Sequence, residues 1–537
     1  SGEDRARLRT GPLVAGAVLE VLDLERPFAS RALRVPDRVV AHLLGDDAPA
    51  PEIGDLLSEV PPVEWGDAAA LATGLREGAR FAYVREFPTG SARVLAARAL
   101  ATLGWQSVNA EVAPGTEAAA LRTQLRLLTR EAQLGGAGLI LGPIAALVEQ
   151  PGTLDRLAPD VPTILVGSDT WDPTWSRRIP LLVDAPASTA ADRAAQWAAQ
   201  LPDAEPATIA STAAFRLSPE QIHRAAAAAR TQATADGGGA VTAKHVTGGA
   251  RAENGTALER LARRISPAVS WDDLVVGPTV DTALREVAAR ARHREQVLGD
   301  WRMRPGGGRG NGVAALFAGD SGTGKTMSAE VVAHDLGLDL YVVNLATTVD
   351  KYIGETEKNL ERIFLAADGM NAVLLFDEAD SIFGKRSEVK DAHDRYANIE
   401  SAYLLQRMES FDGLIILATN LRANIDDAFT RRLDVVVDFP LPHAADRRRL
   451  WDLCLGEAMP RAEGIDLDFC AAAFELAGGA IRSAAVTAAY LAAEAGGPLT
   501  MTHVVTAIQR EYRKLGRLTL PQEFGDYWAL LEQPDRA

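Results

Sequence analysis

Cysteine is almost missing: Cys454 and Cys470 are the only two in 537 residues. Two thiols make no disulfide framework, so a reducing cytoplasm is the expected setting, and both read as small buried hydrophobes. Long apolar runs are missing too. None approaches the roughly 18 residues a membrane-crossing helix needs, and no basic segment followed by an apolar stretch opens the chain. A basic surplus is also lacking. The net charge is -16 with no extended run of Lys and Arg, which argues against a nucleic-acid partner, because phosphate-backbone binding needs cations. What remains is ordinary for soluble globular protein, 47% hydrophobic and 24% charged, in a length that suits several domains.

Two stretches read as joints. Asp46 to Glu64 is rich in Pro and acid, and Ala235 to Gly255 is heavy in Gly and Ala with few bulky apolar residues. The second composition predicts a flexible linker, since it buries too little surface to offset its ordering entropy. Around it lies an internal repeat. Ala190-Ala191-Asp192-Arg193, with Trp197 beyond, recurs as Ala444-Ala445-Asp446-Arg447 with Trp451. Ser176 to Pro186 lines up without a gap on Thr430 to Pro440, and Ala213 to Ala226 on Ala472 to Ala485. Leu103-Gly104 and Val108-Asn109 match Leu336-Gly337 and Val343-Asn344. Matches in one order along so much chain predict two related modules.

In the second copy, the apolar run Val313 to Ala318 predicts a buried parallel strand. It leads into Gly319-Asp320-Ser321-Gly322-Thr323-Gly324-Lys325-Thr326 and then a helix ending near Gly337. Strand, Gly-rich turn and helix N-terminus are the context of a phosphate-binding loop: backbone N–H groups close on phosphates and the helix dipole adds attraction. Lys325 would reach the β- and γ-phosphates of ATP, and the Thr326 hydroxyl would ligate Mg²⁺. Val373 to Phe376 is a second buried strand, ending in Asp377-Glu378-Ala379-Asp380. Carboxylates there are costly unless a cation or substrate occupies the site. Asp377 is placed to hold Mg²⁺ and Glu378 to act as general base on the attacking water.

These motifs resemble an AAA+ ATPase close to the classical AAA clade. The resemblance implies that Asn420, closing the strand Leu414 to Asn420, orients the water. It also implies that the Asp426 to Arg432 segment carries the arginine finger lent to a neighbouring protomer, with the choice between Arg431 and Arg432 left open. Arg482, opening a helix after Gly478-Gly479, resembles the second sensor, acting in cis. Trp271 to Leu274 resembles the segment that introduces such modules and passes near the adenine. Lys351-Tyr352-Ile353 resembles the pore loop that grips extended polypeptide by aromatic packing; the other reading is a Tyr packed on its own domain.

The first copy keeps the scaffold and loses the chemistry. At the loop it reads Glu86 to Arg93, with Ala92 in the place of Lys325 and Arg93 in that of Thr326. Gly142 and Pro143 replace the Asp and Glu, Glu117 the pore Tyr, and His223 the second sensor. Val108 to Leu139 has the spacing of Val343 to Leu374, which predicts an intact frame. Arg177 and Arg178 persist at the finger positions.

The expected fold class is α/β: two tandem AAA+ modules, each a parallel sheet flanked by helices with a small helical lid. The expected boundaries are an N-terminal region over 1–64, a degenerate large subdomain over 65–186 and its lid over 187–234. A flexible linker comes next over 235–262, then the active large subdomain over 263–442, its lid over 443–520 and a tail over 521–537. A finger acting in trans implies an oligomer, a hexameric ring by the resemblance, that remodels protein substrates. The whole chain, Trp301 to Arg407 above all, resembles the two-module AAA ATPases of bacterial phage-tail-like contractile injection systems, which implies a part in their assembly, loading or recycling. The competing reading is a scaffold whose ATP state sets oligomerisation.

Overall fold

The computed structural model describes residues 11–23, 25–27, 30–254, 257–303, 310, 312–345, 355–381, 402–420 and 430–531. The chain divides into two compact units, Ser1–Ile209 with Leu217–Ala250, and Ala210–Arg216 with Arg251–Ala537. Among the described residues no helix is long and apolar enough to cross a membrane.

The first unit is built on strands β1 Phe81–Glu86, β2 Ser107–Glu111, β3 Gly138–Gly142, β4 Thr163–Gly167 and β5 Leu181–Ala185. They pair in parallel in the order β2-β3-β4-β1-β5. Alternation along β3 puts Leu139 and Leu141 into the core on one face of the sheet and Ile140 into the core on the other. A sheet covered on both faces is what continuous apolar strands call for. Helix Ala92–Thr102 follows β1, helix Ala118–Leu134 follows β2, and helices Ala190–Gln200 and Pro219–Ala235 pack on each other. Both of the last two open on complete capping boxes, Thr189 with Asp192 and Ser218 with Gln221.

The second unit has β6 Arg263–Ile265, β7 Val313–Gly319, β8 Asp339–Asn344, β9 Ala372–Asp377, β10 Leu414–Thr419 and β11 Val435–Phe439. Their order is β11-β7-β10-β9-β8-β6, parallel except where β6 runs against β8. The edge strand β6 is pinned by charge, Arg264 Nη2 lying 2.8 Å from the fully buried carboxylate of Asp339. Helices Ala444–Leu455, Leu467–Ala473, Gly478–Glu494 and Met501–Lys514 form the lid around Trp451, Phe474, Ile481 and Ile508.

Without β6, both sheets run fifth-first-fourth-third-second in chain order. Their registers agree as well: Arg85 faces Gly167 as Ala318 faces Thr419, and Leu139 faces Thr163 as Leu374 faces Ile415. One sequence match is corrected. Val108 lies opposite Leu139, but Leu374 lies opposite Tyr341, not Val343, which faces Phe376. Equal spacing is therefore not equal register there. The two extra residues of the second unit fall after β8, and the strands that frame the site are untouched.

The flexible linker expected over 235–262 is also corrected. Helix Ala243–Ala252 occupies its middle with His245, Val246, Gly249 and Ala250 buried, and Leu258 is fully buried in the second unit's core. Bulk is not what docks this helix. A Cβ on Gly249 would lie 2.3 Å from the carbonyl oxygen of Ala225, so glycine lets two helix backbones touch. The tail expected over 521–537 is likewise no separate piece as far as residue 531, because Phe524 is fully buried in the lid core. Nor does the stretch from Arg38 to Ile53, within the expected N-terminal region, stand apart from the first unit: Ala50 and Ile53 belong to its core, and Arg38 Nε lies 2.8 Å from the buried carboxylate of Glu131.

Gly249→Ala should cost the first unit about 1–3 kcal/mol by overpacking, read as a lower denaturation midpoint. An unchanged midpoint would mean that the helix does not seat on Ala225.

Candidate nucleotide site

Strand β7 delivers the chain to the loop at Gly319, and helix Lys325–Asp335 leaves it. Gly322 at φ +80° and Gly324 at φ +101° take the left-handed backbone that folds the turn back on itself. The side chain of Lys325 is buried. Its Nζ donates to the carbonyls of Gly319 at 2.7 Å and Asp320 at 2.9 Å, and to Asn420 Oδ1 at 2.9 Å. Burial pushes the ammonium pKa down, against the pull of Asp377, Asp320 and Asp380. No carboxylate pairs with it among the described residues. A cation out of water with only neutral oxygen partners is stabilised by a polyanion brought to it, which is the fit a triphosphate makes.

The acids stand across from it. Asp377 ends β9 opposite Asn344. Glu378 follows at φ +56°, and its N–H donates to Asp377 Oδ1 at 3.0 Å. A glutamate in left-handed backbone costs energy that a functional position can justify. Asp380 does something the sequence did not disclose: its Oδ1 accepts from Thr419 Oγ1 at 3.2 Å and from the Asn420 N–H at 3.4 Å. It is a positioning residue that fixes the end of β10, and so the direction of Asn420. The third acid of the 377–380 run was its only signal.

A cleft of about 1100 Å³ gathers Ser321 to Thr326, Asp377, Glu378, Asn420 and Arg482. Gly319 and Asp320 shape the loop from behind. Lys351, Tyr352 and Ile353 lie outside the described residues, as do 421–429. Arg431 and Arg432 do not reach the cleft. Arg432 Nε is 2.8 Å from Glu409 Oε1, whereas Arg431 is exposed and has no partner among the described residues.

The apolar wall of the cleft was missed. Val275 and Val276 line it from one side and Leu450, Leu453 and Val486 from the lid, a surface suited to a purine base. Trp271 is turned away, its Nε1 on Asp335 at 3.1 Å and its ring under Arg285 at 4.3 Å, while Asp273 and Leu274 reach the cleft. The lid starts on the loop itself. The Gly479 N–H donates to Gly322 O at 2.8 Å, and a Cβ on Gly479 would come within 3.0 Å of the Gly322 Cα.

Among the described residues no three His, Cys, Asp or Glu side chains form a metal cage. Thr326 and Asp377 line the cleft together. Mg²⁺ is usually held by one or two protein groups together with water and phosphate oxygens, so this pair fits it.

Residues 315–441 match the family described as "ATPase family associated with various cellular activities (AAA)". The second unit carries an AAA ATPase domain. ATP and Mg²⁺ are the standard cofactors of such domains. A katanin p60 ATPase-like protein of Danio rerio is 33% identical over 222 residues, 39% of this chain and 44% of that protein. Its human counterpart is 32% identical over 213 residues, 37% of this chain and 42% of that one. An uncharacterized AAA family ATPase, y4kL of Sinorhizobium fredii, is 37% identical over 130 residues, 24% of this chain and 39% of that protein. The chain thus spans less than half the length of each of these relatives.

Two substitutions separate binding from turnover at the AAA site. Lys325→Ala should abolish nucleotide binding in calorimetry, and Glu378→Gln should keep binding while cutting hydrolysis by at least about 100-fold. Near wild-type turnover in Glu378→Gln would show that the base is another group.

Proposed function

We propose that this chain is an ATP-hydrolysing remodeller of protein substrates that works as a closed ring, a hexamer in the resemblance. The observation that carries the reading is a site with one part missing. Lys325, Thr326, Asp377, Glu378, Asn420 and Arg482 share one cleft, but neither arginine of the finger segment enters it. A second copy would supply that cation.

MgATP, when bound, supplies the phosphoryl group to be transferred to water. The loop N–H groups and Lys325 hold the phosphates. Thr326 and Asp377 would hold the Mg²⁺, which would supply charge to the phosphate oxygens. Glu378 takes the proton from the attacking water, and Asn420, steadied by Asp380, keeps that water in line. Arg482 adds charge from the lid. Arg431 is the better finger, since Arg432 already answers Glu409 within its own chain. In trans, Arg431 would spread the transition-state charge.

The first unit is read as a degenerate copy. Its strand order, its register at the site strands and the loss of Lys, Thr, Asp and Glu support that reading. One nucleotide per chain follows. The likeness of Trp301 to Arg407 to ATPases of contractile injection systems supports a role in assembling, loading or recycling such a particle, in the cytoplasm.

Arg431→Ala should abolish hydrolysis in a homo-oligomer, and mixing it with Lys325→Ala chains should restore part of it, since some interfaces then join an intact site to an intact finger. Arg432→Ala should act mainly through stability. No recovery in rings shown by native mass spectrometry to be mixed would defeat the trans assignment.

Tyr352→Ala tests the work done. Basal hydrolysis should survive within a few-fold, while stimulation by a protein substrate captured with Glu378→Gln, and its remodelling, should fall steeply. Full remodelling by the Tyr352→Ala protein would remove threading and favour the nucleotide-gated scaffold.

A further inference from the structure

The first unit does not simply lack a nucleotide site. By register and repeat, Glu86 stands where Gly319 does, Arg93 where Thr326 does, Gly142 where Asp377 does and Glu220 where Gly479 does. In the second unit two of these positions are glycines, Gly319 close against Phe439 and Gly479 close against Gly322 of the loop. In the first, both are carboxylates turned onto the helix start.

Glu86 Oε2 accepts the Ala92 N–H at 2.8 Å, the first free amide of helix Ala92–Thr102. Ser91 Oγ accepts the Val94 N–H at 3.0 Å and donates to Glu220 Oε1. Ser218 Oγ donates to Glu220 Oε2 at 3.0 Å. Orphan amides at a helix N-terminus are what a phosphate would take. Here the protein's own acids stand at that end, Glu86 from the strand end on the Ala92 amide itself and Glu220 from the Pro219–Ala235 helix on the Ser91 hydroxyl that caps Val94.

The cation is internal as well. Arg93 Nη1 donates to Asn109 Oδ1 at 2.5 Å and to the Ala110 carbonyl at 3.3 Å, with Glu111 at 4.0 Å. A Cβ on Gly142 would lie 3.5 Å from Arg93 Nη2, so the guanidinium sits beside the position that carries the metal-binding Asp in the other unit. The turn keeps its shape throughout. Thr89, in the place of Gly322, holds φ +66°, and its Oγ1 accepts the Ser188 N–H at 3.1 Å.

We propose that Glu86, Glu220 and Arg93 are a built-in replacement for nucleotide phosphate and metal, and that Glu220 latches the Pro219–Ala235 helix to the loop whatever the nucleotide state. The inference rests on reading the first unit as a degenerate copy. It makes that unit a permanently closed counterpart of the ATP-bound form, not an empty one. A group that bonds to loop and lid together does within the chain what a γ-phosphate does between loop, sensor and lid.

The test is hydrogen–deuterium exchange on the full chain in a Lys325→Ala background, where the second site takes no nucleotide. Amides at 92–95 and 220–224 should exchange equally slowly with and without MgATP. Glu220→Ala should speed exchange at both places by roughly tenfold or more, the loss of charge-assisted hydrogen bonds. Glu220→Gln, which keeps an acceptor for Ser91, should recover much of the protection. Unchanged exchange in Glu220→Ala overturns the latch and leaves the degenerate-copy reading standing. Protection that appears only with MgATP overturns both, because the first unit would then be binding nucleotide.

Discussion

The ammonium of Lys325 is the point on which the second unit turns. It is withdrawn from water at the junction of β7, β10 and the loop, and held there by two main-chain carbonyls and the Asn420 amide. Each of those partners is fixed by something larger. The carbonyls belong to a turn that glycine alone closes cheaply. The Asn420 side chain projects from the end of a fully buried strand and is steadied through Asp380. The parallel sheet thus does one thing for the site: it brings loop, acids and Asn420 to the same carboxyl edge. A buried cation with neutral partners is costly, and the cost falls when a polyanion arrives, so binding and local stability are linked.

The lid answers to the same centre through contact at the scale of single atoms. Gly479 donates its N–H to Gly322 O, and no side chain fits between the two backbones. Anything that moves the loop when phosphate enters must move the first turn of the Gly478–Glu494 helix, and with it Arg482. The coupling needs no long pathway. It is a hydrogen bond and a van der Waals contact between two glycines.

The site was legible in the sequence wherever chemistry fixes residue type at fixed spacing. Gly319 to Thr326, Asp377 and Glu378 stood out because a phosphate loop, a metal ligand and a base admit few alternatives, Asn420 and Arg482 came from the family resemblance, and all but Gly319 and Asp320 line one cleft. What escaped was contact made by residues with no chemical label. Val275, Val276 and Val486 are apolar residues among many, and nothing in a sequence marks them as the wall of a cleft. Helix Ala243–Ala252 was hidden for the opposite reason: its Gly and Ala read as flexibility, yet small side chains are what allow its close packing. The displaced match at Val108 shows the limit of spacing. Two intervals can be equal while an insertion has moved from one side of a strand to the other, and only hydrogen-bond register tells them apart.

The two loops answer one electrostatic demand in two ways. A strand that ends at a helix N-terminus gathers free amides and positive potential, and burying them unpaired is expensive in any chain. The second unit leaves its loop glycines bare, so the charge that settles those amides has to come from outside, and occupancy becomes a variable. The first unit settles them from within, Glu86 on the Ala92 amide and Ser91, backed by Glu220, on that of Val94. Burial there pushes the Glu86 carboxyl pKa up, the Ala92 N–H draws it down and Glu220 raises it further, the balance expected of two acids sharing one small anion site. Substituting acids for glycines therefore removes more than catalysis. On the proposed reading it takes away the reason for a ligand and makes a joint of what would otherwise report on nucleotide.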